Sequence, residues 1–406
     1  MNRYLWLTIV LACSSGSCRS SHPNADPNTN AFKVIDILGH QNAAGDPGYE
    51  HADAARPFVF PEDHGPHSNF RNEWWYFTGN LETAGELKRQ RHFGYQLTVF
   101  RTALAPRDAG VTASGTKPRT SGWATQQLYM AHLALSDLDG SHFYAFDRFD
   151  RGAAGLAGAL ASPFHVWVGD WDIASLDKND AHAGTFSALK LHAERDGILI
   201  DLELEPGKGV VAQGDRGLSQ KGPFDRVANN ASYYYSMPRM PTRGTLRIAR
   251  NSPLFEVHGA SWMDREWSTS ALEKNVSGWD WFALHLSNGF DLMLYRLRRA
   301  DNTSSPFSEA ALIDPQGRSE RIRANQFELE VTAHWSSPRD GTVYPSGWKI
   351  KIPKQNLELN VSPSLANQEL NLAVRYWEGA VHLEGAVRGT AVTGTGYVEL
   401  TGYQKL

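Results

Sequence analysis

Carboxylates beside indoles are the residues of this chain best placed to do chemistry. In Trp262-Met263-Asp264-Arg265-Glu266-Trp267, three charges stand between two tryptophans. In an extended segment Asp264 and Glu266 share one face and Arg265 points to the other. Paired carboxylates in an aromatic setting suit proton transfer, because repulsion and desolvation raise one pKa. A structural girdle of ion pairs is the other reading of the same segment. Glu73 directly precedes Trp74-Trp75. Dehydrated there, it would be a general acid; paired with Arg71 or another base, it would be a strand-end ion pair.

Weaker signals surround these. Asp63-His64-Gly65-Pro66-His67 places two imidazoles three residues apart, but across a turn and without an HExxH pattern, so no metal is expected. His132 lies in Tyr129-Met130-Ala131-His132-Leu133, which reads as a strand, where it lines a pocket or is a satisfied strand residue. Tyr234, within Tyr233-Tyr234-Tyr235-Ser236, offers a hydroxyl to a pocket. Ser219 is outside any GxSxG elbow, which leaves a serine hydrolase as a minor reading.

The elements that must position these groups are strands. Ile198, Ile200, Leu202 and Leu204 alternate with Asp201, Glu203 and Glu205, and the apolar residues of Phe327 to Trp335, Trp348 to Ile352 and Leu357 to Val361 alternate with polar or charged ones. Strict period two marks antiparallel strands with one wet face. A weak repeat pairs Trp75 with Trp281 and Arg101 with Arg298. This predicts two similar β-domains, over 56–240 and 241–406, with a boundary near Pro238–Gly244 and a longer hairpin in the first.

The chain has 406 residues and a formal net charge of −4, with 40 Lys plus Arg against 44 Asp plus Glu. That balance argues against nucleic acid as a partner. Met1-Asn2-Arg3, an apolar run and Ala12-Cys13 form an export signal ending like a bacterial lipobox, so residues 1–18 are read as signal and Cys13 as the lipidated residue. Cys13 and Cys18 are the only cysteines, which excludes thiol chemistry from the body. The polar segment 19–55 reads as a tether of about 35 Å. Together these predict a lipoprotein on the periplasmic face of a bacterial membrane, the outer one if the Ser after Cys13 is the sorting signal.

Several segments together resemble the AttH-like, carotenoid 1,2-hydratase-related lipocalin-like family. They are Phe60 to Gly65, Glu73 to Leu81, Gln213-Gly214-Asp215, Leu218 to Gly222, Trp262 to Trp267 and Gly278 to Phe282. Tyr376-Trp377-Glu378-Gly379-Ala380 and Gly396 to Tyr403 complete the set. Arg265 stands where the family pattern often has His. The resemblance implies an all-β fold of two tandem lipocalin-like (calycin) antiparallel β-barrels. It also implies cofactor-free chemistry on an apolar molecule, since hydratases of this group add water to a C=C after proton delivery from a carboxylic acid. Related proteins close rings by shaping a polyene.

The expected protein therefore binds an isoprenoid or lipid-like molecule near the domain junction. Asp264 or Glu266, with Glu73, supplies the acid. Trp262, Trp267, Trp279 and Trp281 stabilise a cation with their ring faces, and Trp74 and Trp75 contact the ligand in the same pocket. The alternative is a carrier that uses the same pocket without chemistry.

Overall fold

The computed structural model describes residues 48–85, 90–106, 123–177, 188–224, 229–269, 272, 273, 275–301 and 303–404. The segment 1–18 read as a signal, with Cys13, and most of the segment read as a tether lie outside these. Residues 48–55, read as tether, instead pack on the body. Ala52 is buried, the Tyr49 hydroxyl donates to Ala103 O at 3.0 Å, and the Glu50 amide donates to Asn69 O. Tyr49 and Ala52 are the apolar anchors that composition alone does not separate from their polar neighbours.

A first set of strands runs β1 (Asn72–Thr83), β2 (His92–Ala103), β3 (Gln127–Asp137), β4 (His142–Arg151), β5 (Ala157–Ala161), β6 (Phe164–Val168) and β7 (Trp171–Ser175). It continues with β8 (Leu189–Arg195), β9 (Ile198–Leu204), β10 (Val211–Ala212), β11 (Leu218–Phe224), β12 (Asn229–Ile248) and β13 (Phe255–Ser268). The second set is β14 (Val276–Leu286), β15 (Asp291–Arg299), β16 (Glu309–Ile313), β17 (Ser319–Arg323) and β18 (Glu328–Ser336). It ends with β19 (Val343–Ile352), β20 (Leu357–Pro363), β21 (Glu369–Asn371), β22 (Arg375–Val387) and β23 (Thr390–Leu400).

The first sheet has the order β4-β3-β2-β1-β13-β12-β9-β8-β7-β6-β5, and the second β17-β16-β15-β14-β23-β22-β20-β19-β18. In each the first strand pairs with the last, so the repeat is one of topology. The fold is all-β, two lipocalin-like barrels in tandem, one nearly closed and the other a half-barrel.

The four alternating runs form outer walls. Ile198, Ile200, Leu202 and Leu204 fill the first barrel, while Trp348, Ile350, Ile352, Leu357, Leu359 and Val361 fill the second. Their alternate residues meet water. Strands β1, β2, β3, β13, β14 and β22 behave differently, being buried on both faces over most of their length. One face of each fills its own barrel, and the other packs against the opposite barrel.

Two sequence readings change. The segment Pro238–Gly244 is not a boundary, because β12 runs through it within the first sheet and the sheets change between Ser268 and Val276. Pro238 is accommodated at a bulge, where the β12–β13 register shifts between Met237 and Met240 and Arg239 takes a φ of 54°, and Pro241 lies back in register opposite Ala260. The extruded Arg239 reaches Asp291 of the second barrel at 2.7 Å. The Trp75–Trp281 pairing is also out of face. Trp75 fills the first barrel, whereas Trp281 points out of the second. A single-residue slip inverts the face of every side chain in a strand. The first hairpin has the longer connection, but 84–91 against 287–290 is a difference of four residues, where the offsets of the Trp75–Trp281 and Arg101–Arg298 pairs give nine.

A close approach between the barrels needs a glycine. A Cβ on Gly94 of β2 would lie 2.6 Å from Ala380 Cβ and 3.0 Å from the Tyr397 hydroxyl, both on the second barrel. Gly94→Leu should therefore pry the faces apart and lower stability by about 1–3 kcal/mol. Gly94→Ala should cost less. Urea denaturation midpoints of the two variants against wild type check the order, and an unchanged Gly94→Leu would refute this account of the junction.

Candidate functional site

Between the barrels, in neither interior, lies a concave, mostly apolar pocket of the kind that small-molecule sites use. The first barrel contributes Trp74 and Tyr76 from β1, Phe100 from β2 and Tyr234 from β12. The second contributes Trp279 and Trp281 from β14, Tyr295 and Leu297 from β15, and Tyr376 from β22. Five ionisable groups interrupt this aromatic lining: Asp264, Glu266, Lys221, Glu378 and Glu399.

Asp264 is held as an acceptor. Its Oδ1 receives the Ser236 hydroxyl at 2.5 Å and Trp262 Nε1 at 2.7 Å, and its Oδ2 receives the Tyr234 hydroxyl at 2.7 Å. Trp281 Nε1 in turn donates to the Tyr234 oxygen at 3.2 Å, and Gln213 to the Ser236 oxygen at 2.9 Å. Burial raises its pKa and the three donors lower it, with the balance at about 6. At neutral pH Asp264 is therefore mostly an anion fixed in an apolar wall.

Glu266 is tied differently. It forms an ion pair with Lys221 and accepts the Ser232 hydroxyl, whose oxygen also receives Lys221 Nζ at 2.7 Å. Burial pushes the Lys221 ammonium down to about 7, against the pull of Glu309 and Asp264.

Glu378 and Glu399 face each other as cross-strand partners on β22 and β23. Neighbouring Cβ atoms in such a pair are about 5 Å apart. The Tyr76 hydroxyl donates to Glu378 Oε1 at 2.5 Å, and Trp279 Nε1 to Glu399 Oε2 at 3.1 Å. Glu378 Oε2 has no hydrogen-bond partner among the described residues. Burial and the neighbouring Glu399 hold Glu378 well above the ordinary carboxyl range, and burial raises Glu399 to about 7. Near neutrality Glu378 therefore keeps its proton while Glu399 titrates.

Of the residues expected from sequence, Asp264, Glu266, Trp74, Tyr234, Trp279 and Trp281 line this cavity. Trp262 stands just behind, donating to Asp264 and meeting Trp281 edge-on at 6.3 Å. His132 is one layer further out. Its Nδ1 shares a 2.7 Å hydrogen bond with the Tyr376 hydroxyl, and burial lowers its pKa to about 4. It is a neutral support for Tyr376 and not a ligand contact.

Three expectations fail because the side chains point into the first barrel. Glu73 is not a general acid. Arg101 and Arg265 both pair with it, and the His67 amide donates to it at 3.0 Å. Burial alone would raise its pKa, but the two guanidiniums hold it well below the usual range. Trp75 lies 4.1 Å below the Arg265 guanidinium, and Trp267 stacks on His67 at 3.8 Å. Both are core. His67 bridges Asp63 and Glu73, and no group of three or more such side chains is placed to hold a metal ion among the described residues. Ser219 shares a 3.0 Å hydrogen bond with Tyr295.

Glu378, Glu399, Lys221, Tyr76 and Tyr376 were not singled out from sequence. The available signal was Tyr376-Trp377-Glu378, which repeats the placement of a carboxylate against aromatics that drew attention to Glu73.

The AttH-like family matches residues 51–403, and the chain belongs to it. An AttH protein from Nitrosomonas europaea is similar at 31% identity with a TM-score of 0.72, over 87% of this chain and 100% of that one. Kievitone hydratase from Nectria haematococca shares the fold at 18% identity and a TM-score of 0.60, over 91% of this chain and 98% of that one. A search of curated proteins returns no significant match.

The two carboxyl clusters should respond oppositely to substitution. Glu73→Gln strands two buried guanidiniums and should lose about 3–5 kcal/mol at neutral pH. Glu399 has a folded-state pKa above its unfolded value of 4.5, so its stabilising contribution is complete below 4.5 and is lost as pH rises through about 7. Glu399→Gln should therefore gain stability over wild type by roughly 1–2 kcal/mol on going from pH 5 to pH 8. Chemical denaturation at the two pH values checks both signs.

Proposed function

We propose that the cavity binds a mostly apolar, alkene-containing molecule and adds water to its double bond. The observation that carries this reading is Glu378, whose unpartnered carboxyl oxygen lies in a wall of indoles with Glu399 as its cross-strand neighbour. Glu378 gives its proton to one alkene carbon. The positive charge that develops on the other carbon is stabilised by the faces of Trp74, Trp279 and Trp281 and by the Asp264 anion. Water adds to the cation, and its surplus proton returns to Glu378, so atoms and charge balance without a cofactor. Asp264, which the sequence reading favoured as the acid, serves here as the counter-charge, because three donors already saturate it. The fold shared with a protein named as a hydratase supports the class of reaction. A route ending in ring closure or isomerisation differs only in what quenches the cation. The reading includes export and lipid attachment at Cys13, both carried by the sequence of residues 1–18 alone.

The test uses ligand extracted from the purified protein and returned to it in ¹⁸O-labelled water. Mass spectrometry should detect a product heavier by one labelled water. Glu378→Gln and Asp264→Asn should each slow its formation by about 10²–10⁴-fold. The rate should fall as the pH drops below about 6, where Asp264 loses its charge, and fall again only at a pH high enough to ionise Glu378. Ligand recovered unchanged after full occupancy would instead identify a carrier.

A further inference from the structure

One group on the cavity wall has no part in that reaction. Lys221 is the only lysine among the described residues that lines the cavity, and its side chain is 9% exposed. Its ammonium is surrounded by one close acid, Glu266, one hydroxyl, Ser232, and the rings of Tyr234 and Tyr295 at 5.5 and 5.7 Å. Glu309 and Asp264 act on it from further away. An amine so enclosed is an unusual wall for a site of purely apolar ligands. A salt bridge already satisfied by Glu266 leaves little reason for it to bind a second anion. In a dry, aromatic setting, passing the proton from nitrogen to Glu266 exchanges two buried charges for two neutral groups, which releases a nucleophilic amine.

We propose that Lys221 captures an apolar aldehyde or ketone as an imine, with Glu266 as proton shuttle and then as counter-ion. The neutral Nζ attacks the carbonyl carbon. The C–N bond forms as the carbonyl π pair moves to oxygen, which takes the proton held by Glu266. The nitrogen then expels that oxygen as water, protonated by way of Glu266, and the C=N bond forms. In sum, ammonium plus carbonyl becomes iminium plus water, and the Glu266 carboxylate faces one positive charge before and after. No oxidant, reductant or cofactor enters. Ser232, hydrogen-bonded to both Lys221 and Glu266, keeps the two groups in register. The site thus selects for a carbonyl in an otherwise oily molecule, a requirement that the alkene chemistry at the Glu378–Glu399 pair does not impose.

The experiment is reductive trapping on the full protein with geranial, a small apolar aldehyde, and cyanoborohydride, followed by peptide mapping. Lys221 should gain the mass of geranial less one oxygen atom, at least tenfold faster than the exposed Lys354. Geraniol, which has no carbonyl, should slow labelling of Lys221 and leave Lys354 unaffected. Lys221→Arg should abolish the fast phase. Glu266→Gln, which keeps the amine, should slow it by tenfold or more. Labelling of Lys221 no faster than Lys354 in wild type overturns the proposal whether or not the variants fold. Because the readout is a trapped adduct and not turnover, it stands or falls separately from hydration.

Discussion

The site depends on one constraint, the packing of the outer face of one β-barrel against the outer face of another. A strand in a solitary barrel has a dry side and a wet side. Here β1, β2, β13, β14, β22 and β23 meet across the junction, and the side that would face water faces the other barrel instead. Polar residues that would be ordinary on a surface, such as Asp264, Glu378 and Glu399, are thereby dehydrated. Their raised pKa values have that common cause. The barrels themselves are filled by their own side chains, so the ligand site belongs to the tandem arrangement and not to either repeat.

The junction is held by polar contacts as much as by apolar ones. The Tyr76 hydroxyl bonds Glu378, Gln96 donates to the Tyr376 oxygen, and the Ser136 hydroxyl donates to Gln368. At one edge Lys208 and Arg239 of the first barrel converge on Asp291 of the second. These bonds fix the relative register of the two faces. That register decides which indole stands opposite which carboxyl. Gln96 and His132 act in this way, by fixing the Tyr376 hydroxyl from behind.

What the sequence made legible follows from the same geometry. The strands with strict alternation, such as Ile198 to Leu204, are outer walls, and they revealed an all-β fold without pointing to the site. The strands that form the site do not alternate, because both of their faces are dry, so periodicity could not assign Trp74 to the cavity and Trp75 to the core. Where local chemistry was unambiguous, as in the opposed faces of Asp264 and Arg265, an extended backbone was enough to separate them. Glu378 and Glu399 stand 21 residues apart on different strands. Only the β22–β23 register brings them together, and no spacing rule along the chain records it.

Glu73 and Asp264 illustrate why the face matters more than the residue type. They lie on adjacent paired strands, β1 and β13, and each is buried beside tryptophan. Glu73 points into the first barrel, where Arg265 and Arg101 converge on it, and it is a permanent anion. Asp264 points the other way, where hydroxyl and indole donors replace guanidiniums, and its pKa is left near the working range of a cell. Arg265 is adjacent in sequence to two of the four acids of the cavity, Asp264 and Glu266, and alternation alone keeps it out. With its charge directed inward, Lys221 is left as the cation on the cavity wall among the described residues. A strand that placed Arg265 on the outer face would neutralise Asp264 and Glu266 together. The alternation of β13 therefore separates a permanent ion cluster that stabilises the barrel from acids that remain free to exchange protons.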